Sequence, residues 1–455
     1  MEKLVISVTE TGAVPGSDNV QTEALQRALD EVWRRGGGVV EVPAGRYLTG
    51  GLRLRSRTTL HLQAGAVLQG VRDPESYTGI AGDVLEPLPE KWLTEKCWEP
   101  FVKGVERCYD FMRKPGGRWG DAIIRAVSAE DVAITGEPGA VIDGSDCYDP
   151  KGEESYRGPH GISMHHCRGV TLRGYTIQNT GNWAHCIFDT DGIEMEKVTV
   201  LAGHDGIHCT SCSHIHIADS EFYTGDDCIA GFANTDTLVE RCICNTACSG
   251  MRFGGTRVLV RDCRFFGPAR YFFRGSLSLE EKINGAEAHR PHRTNMLSVF
   301  TYYADYSVDI PERPGEILIK SCTVENVDRF LHFNFSGNER WQSHRPLASI
   351  AFEDIDAAGI GMPLTAYGSA DDPLELAMRR VKVSFREDVS GTAFLHTANY
   401  RKITLEDVTV SGLSDAPLIK SWSRGGQIVL HCVDCGLPKE RLVEYTDEPF
   451  KCKAF

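Results

Sequence analysis

The sequence predicts an all-β parallel β-helix, a single-stranded solenoid in which each coil of the chain stacks on the coil before it. Three observations support this prediction: similar segments recur about every 22 residues, each alternates apolar and polar residues as a strand does, and helix patterns are scarce. A period of roughly 20 to 50 residues is typical of stacked repeats. One strand-rich unit of this length is too short for a propeller blade, so a β-helix fits best.

The clearest copies of the repeat lie in the middle of the chain. They begin at Gly169, Gly192, His214 and Thr237, in steps of 23, 22 and 23 residues. Weaker copies cover residues 58–70 and 131–144, and later copies begin at Arg257, Glu316, Ser349, Arg380, Lys402 and Gln427. A coil of this kind is stable only when it pairs with its neighbours, so we predict one domain over residues 1–455.

One helix is predicted near the start of the chain, over residues 21–35. Its Leu25, Leu29 and Val32 form an apolar stripe at helical spacing. Because a stack of coils needs a cover at its open end, we predict that residues 1–50 form an N-terminal cap.

Charge and composition exclude several classes of partner. The formal net charge of −14 argues against binding nucleic acid or an anionic membrane surface. No stretch approaches the length of a membrane span, and the first residues lack the apolar region of a signal peptide. We therefore expect a cytoplasmic protein whose 16 cysteines are reduced.

The cysteines are expected to pack as small buried thiols on successive coils. Two pairs, Cys209 with Cys212 and Cys432 with Cys435, have the spacing of half a zinc site. They lie more than 200 residues apart, whereas zinc needs four converging ligands, so we predict no metal and no cofactor.

Three aspartates lie where the period would stack them. Asp205 precedes Asp226 and Asp227 by 21 and 22 residues, which is about one coil, and neighbouring strands lie roughly 4.8 Å apart. Crowded carboxylates repel one another, which raises the pKa of at least one of them. A protonated acid beside an ionised base is what cleavage of a glycosidic bond requires, so we predict that these three residues are catalytic.

The segments around the aspartates resemble a known family. The block G-D-D-C-I-A at 225–230 and the block G-H-D-G at 203–206 resemble the motifs of the polygalacturonase family of glycoside hydrolases, family 28-like enzymes that degrade pectin. The first block is unchanged, and the second keeps the Asp and Gly of the family's N-T-D-G. The likeness extends over GGGVVEVPAG at 36–45, ITGEPGAVIDG at 134–144 and QNTGNW at 178–183.

This resemblance implies a right-handed parallel β-helix and a role for each aspartate. Asp226 would protonate the leaving oxygen, while Asp205 and Asp227 would hold and deprotonate the attacking water, with inversion of the anomeric centre. Carboxylates one coil apart should be closer than the roughly 6.5–9.5 Å usual for inverting enzymes, a spacing that would favour retention. We follow the family and expect inversion.

Two departures from the family concern the substrate. The family's G-H-G motif corresponds to residues 247–255, where the glycines remain and the His is missing, and no R-I-K motif is evident. Arg252, one coil beyond the aspartates, is therefore a candidate substrate-binding cation, as are Arg274 and Lys282. We expect an exo-acting enzyme that cleaves a small oligosaccharide or glycoside, pectin-derived or related.

Further candidates for substrate binding flank the aspartates. His204 adjoins Asp205, His160 lies two coils earlier, and Trp183 lies in a segment that resembles the family. Strict alternation along a strand would place His204 and His208 on the face opposite to Asp205, although the irregular corner makes His204 the better candidate for a substrate contact.

Two insertions interrupt the repeat at 85–120 and 275–314. Long insertions in a solenoid usually wall its binding face, and the first carries three tryptophans that can stack on a sugar. These bulky walls favour a closed pocket for a small carbohydrate over an open groove for a polymer. The sequence does not indicate an oligomeric state.

Two other functions remain open from the sequence. A polysaccharide lyase on the same fold would need a Ca²⁺ site and a basic side chain near the α-proton of a uronate. A non-catalytic glycan-binding or structural solenoid would leave the stacking of the aspartates unexplained. Metal dependence of activity separates the first alternative from hydrolysis.

Overall fold

The computed structural model describes most of the chain as parallel β-strands. The described residues are 4–77, 118–148, 157–271, 273, 293–304, 312–334, 345–387, 389, 391–413, 415–422 and 425–446. Most of the predicted insertion at 85–120, much of that at 275–314, and the candidates Arg274 and Lys282 lie outside the described residues.

The chain divides by its internal contacts into two compact units. The first comprises Met1–Asp226 with Tyr271–His292, and the second comprises Asp227–Arg270 with Arg293–Phe455. The prediction of a single domain over residues 1–455 stays a prediction, and each unit is described by itself below.

The described residues of the first unit form one α-helix, 18 strands, and short 3₁₀ helices at Pro74–Ser76 and Arg118–Gly120. The helix is α1, Thr22–Arg34, and the strands are β1 Val5–Ser7, β2 Gly38–Val42, β3 Gly45–Thr49, β4 Leu52–Arg53, β5 Thr58–Leu62, β6 Ala66–Gly70, β7 Ala122–Val127, β8 Glu130–Gly136, β9 Val141–Asp143, β10 His160–His165, β11 Arg168–Arg173, β12 Thr176–Gln178, β13 His185–Phe188, β14 Asp191–Glu196, β15 Thr199–Ala202, β16 Ile207–Thr210, β17 Ser213–Ala218 and β18 Glu221–Thr224.

Each coil of the first unit contributes three strands, and each strand pairs in parallel with its counterpart one coil later. Thus β10 pairs with β13 and β13 with β16, while β11, β14 and β17 form a second ladder and β12, β15 and β18 a third. This repeated parallel pairing of coils confirms the predicted parallel β-helix.

In the second unit, the residues that the structure describes have the same pattern, with 16 strands and a 3₁₀ helix at Lys439–Arg441. The strands are β19 Ile229–Glu240, β20 Ile243–Thr246, β21 Ser249–Arg261, β22 Arg264–Phe266, β23 Ser298–Tyr302, β24 Gly315–Lys320, β25 Thr323–Glu325, β26 Leu331–Asn334, β27 Ser349–Ile360, β28 Leu364–Tyr367, β29 Leu374–Phe385, β30 Leu395–Ala398, β31 Tyr400–Ser411, β32 Ile419–Ser421, β33 Gln427–Asp434 and β34 Val443–Tyr445. In several coils two strands merge into one element, as in β21, which pairs with both β23 and β24.

The core is built from columns of apolar side chains that repeat at the same position of each coil. In the first unit Val170 lies opposite Ile193, and Ile193 lies opposite Ile215 one coil further on. All three are at most 2% exposed. Burial of each such side chain contributes about 1.5–3 kcal/mol, which explains why the sequence repeats apolar residues with the period of a coil.

The helix predicted over residues 21–35 is present, and its role in an N-terminal cap over residues 1–50 stays a prediction. Helix α1 turns Leu25, Leu29 and Val32 toward the first strands, and all three are buried. The side-chain amide of Gln26 then fixes the helix to β4, because it accepts from the backbone N–H of Arg53 at 2.8 Å and donates to the Arg53 carbonyl at 3.1 Å.

Most of the described cysteines are free, buried thiols. Cys212, for example, donates to the Thr210 carbonyl at 3.4 Å and to the Ile187 carbonyl at 3.5 Å. Burial raises the pKa of the Cys212 thiol well above its usual value, which keeps it protonated. These contacts give Cys212 a packing role.

Among the described residues no helix is long and apolar enough to cross a lipid bilayer.

Candidate active site

Two of the three predicted catalytic aspartates leave the same corner of neighbouring coils in the first unit. Strands β15 and β18 pair in register, with Ala202 opposite Thr224. Asp205 follows the first strand by three residues and Asp226 follows the second by two. The Thr224 hydroxyl donates to the Asp226 carbonyl at 2.6 Å, which fixes the turn that carries the half-buried Asp226.

The side chain of Asp205 is buried and held by His208. Nδ1 of His208 donates to Oδ2 of Asp205 at 3.0 Å, and the Asp205 carbonyl accepts from the backbone N–H of Ala184 at 2.9 Å. The expectation that His208 points away from Asp205 is therefore wrong. The alternation rule fails because a turn precedes β16, so the two residues do not lie on one continuous strand.

The imidazole of His208 also stacks on an aromatic side chain. The imidazole of His208 lies parallel to the indole of Trp183, with ring centres 3.9 Å apart and an angle of 2° between the planes. Trp183 itself is only 4% exposed. The Trp183 indole therefore packs against the His208 ring, and little of the indole surface is accessible to a sugar.

His160 is enclosed by the same aromatic cluster. The centre of its ring lies 5.3 Å from that of Trp119, in an edge-on arrangement, and 5.4 Å from that of Trp183. The side chain has no exposed surface. Burial lowers the pKa of His160 to about 3, while the backbone carbonyls of Trp119 and Trp183 act in the opposite direction. A neutral, enclosed ring packs against these tryptophans, so we assign His160 a packing role in place of the predicted substrate contact.

His204 is also buried, with a partner that the sequence did not indicate. Its Nε2 shares a hydrogen bond of 3.1 Å with the hydroxyl of Tyr148, and the two rings lie 5.8 Å apart. Tyr148 comes from an earlier coil, where no repeat pattern marks it as functional. The predicted role of His204 in binding substrate stays a prediction.

Asp227 begins the second unit and is fully buried there. The pairing of Ile229 with Met251 brings the start of β21 beside it, and the Ser249 N–H donates to Oδ1 of Asp227 at 3.0 Å. Nη1 of Arg252 lies 3.6 Å from Oδ2 of Asp227. A backbone N–H and a guanidinium both stabilise a negative charge, so this environment suits an ionised carboxylate.

Arg252 is fixed between Asp227 and an aromatic ring. Its guanidinium carbon lies 4.3 Å from the centre of the Tyr303 ring, which in turn packs edge-on against Phe232 at 4.7 Å. Only a fifth of the Arg252 side chain is exposed. These contacts favour a positioned cation over a solvated side chain at a corner of the coil.

The stretch that corresponds to the family's G-H-G motif, residues 247–255, contains a second arrangement that the sequence did not indicate. Ligand atoms of Cys248 and Asp227 lie within 4.8 Å of each other. Nη1 of Arg293 donates to Sγ of Cys248 at 3.2 Å. Arg293 comes from the middle of the predicted insertion at 275–314, and no local pattern links it to Cys248.

Known proteins are similar to the part of the chain that contains this site. The profile of the glycosyl hydrolases family 28 matches residues 114–254, which include the three aspartates and Arg252. A probable polygalacturonase of Vitis vinifera is 27% identical over 236 residues, 49% of this chain and 43% of that protein. An exo-poly-alpha-D-galacturonosidase of Dickeya chrysanthemi is 25% identical over 254 residues, 50% of this chain and 41% of that protein. The chain thus spans about two fifths of the length of these relatives.

Solved structures support the fold. An exopolygalacturonase from Thermotoga maritima aligns with a TM-score of 0.56 at 16% identity, covering 96% of this chain and 92% of that one. A family 28 exopolygalacturonase from Yersinia enterocolitica aligns with a TM-score of 0.59 at 15% identity, covering 95% and 78%. The solved structures, at these identities, show a parallel β-helix fold. Within that fold, residues 114–254 are similar to the glycosyl hydrolases family 28, and the matched parts of the chain are similar to polygalacturonases.

Proposed function

We propose that this protein is an exo-acting glycosidase that hydrolyses a small pectin-derived oligosaccharide or glycoside with inversion. Asp226 is the general acid, and Asp205 and Asp227 position and deprotonate the water. The observation that carries the proposal is the unchanged G-D-D-C-I-A block at 225–230, inside the segment that matches family 28. The relatives that carry exo-polygalacturonase names support the mode of action and the class of sugar.

The environments of the three carboxylates support this division of roles. Asp227 is held by the Ser249 N–H and by Arg252, and both stabilise the ionised form that a general base has before the reaction. Asp205 accepts a hydrogen bond from His208, which orients the carboxylate toward a fixed direction. Asp226 is the most accessible of the three and has its backbone, rather than its carboxylate, fixed by Thr224. An accessible carboxyl group can reach the leaving oxygen of a bound substrate.

The departures from the family shape the proposed substrate. A uronate normally pairs with a fixed cation, often in a bidentate manner through Arg, and the family's own cations are not in place. Arg252 supplies a positioned cation in the second unit. We therefore propose a substrate whose carboxylate, where it has one, meets Arg252, and weak activity on unmodified polygalacturonate.

The test is a substrate screen of the purified chain combined with one substitution. Nitrophenyl glycosides and short pectic oligosaccharides are incubated with and without EDTA, and the anomer first released is identified by proton NMR. Asp226→Asn should lower kcat on the best substrate by about 10²-fold or more, as loss of a general acid implies. Asp371→Asn, which changes an exposed aspartate of the second unit, is the matched control.

The outcomes of this screen are distinct. Inversion, activity in EDTA and an inactive Asp226→Asn support the proposal. An unsaturated product with dependence on Ca²⁺ would establish the lyase alternative, and full activity of Asp226→Asn would reject the assigned acid. Rapid depolymerisation of polygalacturonate would show that the proposed substrate is wrong.

We also propose that the protein works in a reducing compartment such as the cytoplasm. The described cysteines, most of them buried, are free thiols, which supports this proposal. Fractionation of the native cells, followed by immunodetection, tests it directly.

A further inference from the structure

Three side chains that carry metal-binding atoms lie together on the surface of the second unit. They are the carboxylate of Asp407 on β31 and the imidazole and thiol of His431 and Cys432 on β33. One ligand atom from each residue lies within 4.8 Å of the other two. All three residues are exposed, so an ion can reach them from solvent.

The register of β31 and β33 brings the aspartate to the cysteine. Glu406 lies opposite His431, so the next residues along the two strands, Asp407 and Cys432, are opposite each other. Both have a left-handed backbone, with φ of 52° and 49°. Strict alternation would send His431 and Cys432 to opposite faces of β33, and the left-handed residue breaks that alternation. Two ligands that are adjacent in sequence can therefore converge on one ion.

The set of donor atoms fits zinc. Nε2 of His431 lies 3.9 Å from Sγ of Cys432. Ligands of one tetrahedral zinc, at roughly 2.0–2.3 Å from the ion, lie roughly 3.3–3.8 Å from each other. A small rotation of either side chain would thus bring both atoms onto one ion. Thiolate and imidazole also select zinc over calcium and magnesium, which oxygen ligands alone would favour.

The sequence prediction of no metal considered only the two C-x-x-C pairs, which lie more than 200 residues apart. Asp407 precedes Cys432 by 25 residues, and no local spacing links the two. The stacking of coils joins them, in the same way as it joins other residues that are one coil apart.

The same corner shows a cation between neighbouring coils at an earlier step. Arg380 lies one coil before Asp407 and one coil after Asp354. Its guanidinium donates two hydrogen bonds to the carboxylate of Asp354. A zinc ion between Asp407 and Cys432 would bridge the next pair of coils at the equivalent position.

The cluster lies far from the proposed catalytic residue of this unit, Asp227, which precedes β19. Six strand steps along one ladder, or roughly 29 Å, separate Glu240 at the end of β19 from His431. Among the described residues, β33 is the last strand of this ladder, and each of its residues is at least partly exposed. A strand with so little burial opens easily, so a metal bridge to β31 would add an anchor.

We propose that Asp407, His431 and Cys432 bind a zinc ion that fastens β33 to β31. The imidazole and thiolate come from one coil and the carboxylate from the coil before it, so the ion joins the two coils through side chains. The fourth position is filled by water or by the thiol of Cys435, three residues after Cys432. Zinc binds this folded arrangement more tightly than the unfolded chain, so it stabilises the native state by mass action.

The test is titration of the whole chain with cobalt(II) and zinc under reducing conditions. Cobalt(II) occupies tetrahedral zinc sites, and a thiolate ligand gives it a charge-transfer band in the near ultraviolet. We expect such a band, its reversal by zinc, and its loss in Cys432→Ser. Loss of an outer-shell partner costs about 10- to 100-fold in metal affinity, so Asp407→Asn and His431→Gln, which each remove a ligand, should cost at least as much. Competition with a chromophoric chelator measures the zinc affinity.

Two control variants and a second measurement complete the design. Cys248→Ser removes a different thiol that lies near a carboxylate, and His214→Gln removes an exposed histidine paired with Asp191 at 2.7 Å. Neither should change the cobalt band. Zinc should raise the urea midpoint of unfolding of the unchanged chain but not that of Cys432→Ser. In EDTA the two proteins should unfold alike, because Cys432 is exposed.

The results that contradict the proposal are distinct. Absence of a charge-transfer band, a band that Cys432→Ser retains, or a zinc affinity that the three substitutions leave unchanged would overturn it. A band lost in Cys248→Ser alone would place the ion beside Asp227 and would overturn it as well. Zinc that binds the three residues without raising the urea midpoint would refute the fastening of β33 to β31.

Discussion

The imidazole of His208 lies flat on the indole of Trp183, with ring centres 3.9 Å apart, while its Nδ1 donates to the carboxylate of Asp205. The stack fixes the plane of the imidazole, and the plane fixes the direction from which the proton reaches Oδ2. Asp205 therefore has a defined orientation even though the turn that carries it is irregular. A residue that orients a carboxylate in this way is a positioning residue for the proposed hydrolysis.

Replacing His208 by Phe tests this positioning role. The ring can still stack on Trp183, but the hydrogen bond to Asp205 is lost, and a bond to a charged group is worth about 1.5–3 kcal/mol. We expect kcat to fall roughly 10- to 100-fold with little change in KM, measured on the substrate found in the screen. His216→Phe breaks a similar His–carboxylate pair, with Glu194 at 2.9 Å, and should leave kcat unchanged. Equal kinetics in the two variants would refute the positioning role.

The ion pair of Asp227 and Arg252 should stabilise the folded protein as well as hold the guanidinium of Arg252 in position. Removing one partner leaves a buried charge uncompensated, so Arg252→Met should lower the free energy of unfolding by about 3 kcal/mol, measured in urea. The double variant with Asp227→Asn should recover part of this loss, which a double-mutant cycle measures as coupling. Arg257→Met is the control, because its ion pairs with Asp236 and Glu312 are exposed and screened by solvent, so we expect a much smaller loss. Strictly additive losses at Asp227 and Arg252 would contradict this account.

Acid should destabilise the protein through buried histidines. The pKa of His160 falls to about 3 on folding, below its usual 6.5, so the unfolded chain binds a proton that the native chain does not. The stability that this group contributes is complete above pH 6.5 and is lost as the pH falls toward 3. At pH 5 the loss is about 2 kcal/mol.

The substitution His160→Phe isolates this effect. Phe fills the aromatic cluster without titrating, so the difference in unfolding free energy between pH 7 and pH 5 should shrink by about 2 kcal/mol. His431→Phe, at an exposed position of β33, should leave the difference unchanged when unfolding is measured in EDTA. An identical pH dependence in His160→Phe would mean that this ring titrates normally in the folded chain.

The periodicity of the sequence identified some strands and missed others for a physical reason. The copies that begin at Gly169, Gly192 and His214 coincide with β11, β14 and β17, whose one buried face produces clear alternation. The strands β10, β13 and β16 gave no such signal. They are buried on both faces and carry His, Cys, Ser or Thr where an apolar residue would complete the pattern.

The candidate site shows the same limit. The spacing of Asp205 and Asp226 placed them at one corner because the period of the coil converts sequence distance into position. Contacts made across turns do not follow the period. The stack of Trp183 on His208 depends on the path of the chain at the corner, and a one-dimensional pattern has no information about that path.

Gly254 packs against the backbone of Tyr303, whose ring lies against the guanidinium of Arg252. A Cβ at this position would lie 1.7 Å from the carbonyl oxygen of Tyr303, a distance that forces the backbone of Tyr303 to move. Gly254→Ala should therefore lower the free energy of unfolding by about 1–3 kcal/mol, as overpacking does, and also raise KM for a carboxylated substrate, because Tyr303 no longer holds Arg252 in place. Gly425→Ala is the matched control, since a Cβ there meets nothing within 4 Å. Unfolding curves in urea and KM values for charged and neutral substrates measure both effects. A Gly254→Ala protein as stable as Gly425→Ala would show that the Tyr303 carbonyl is not packed against this glycine.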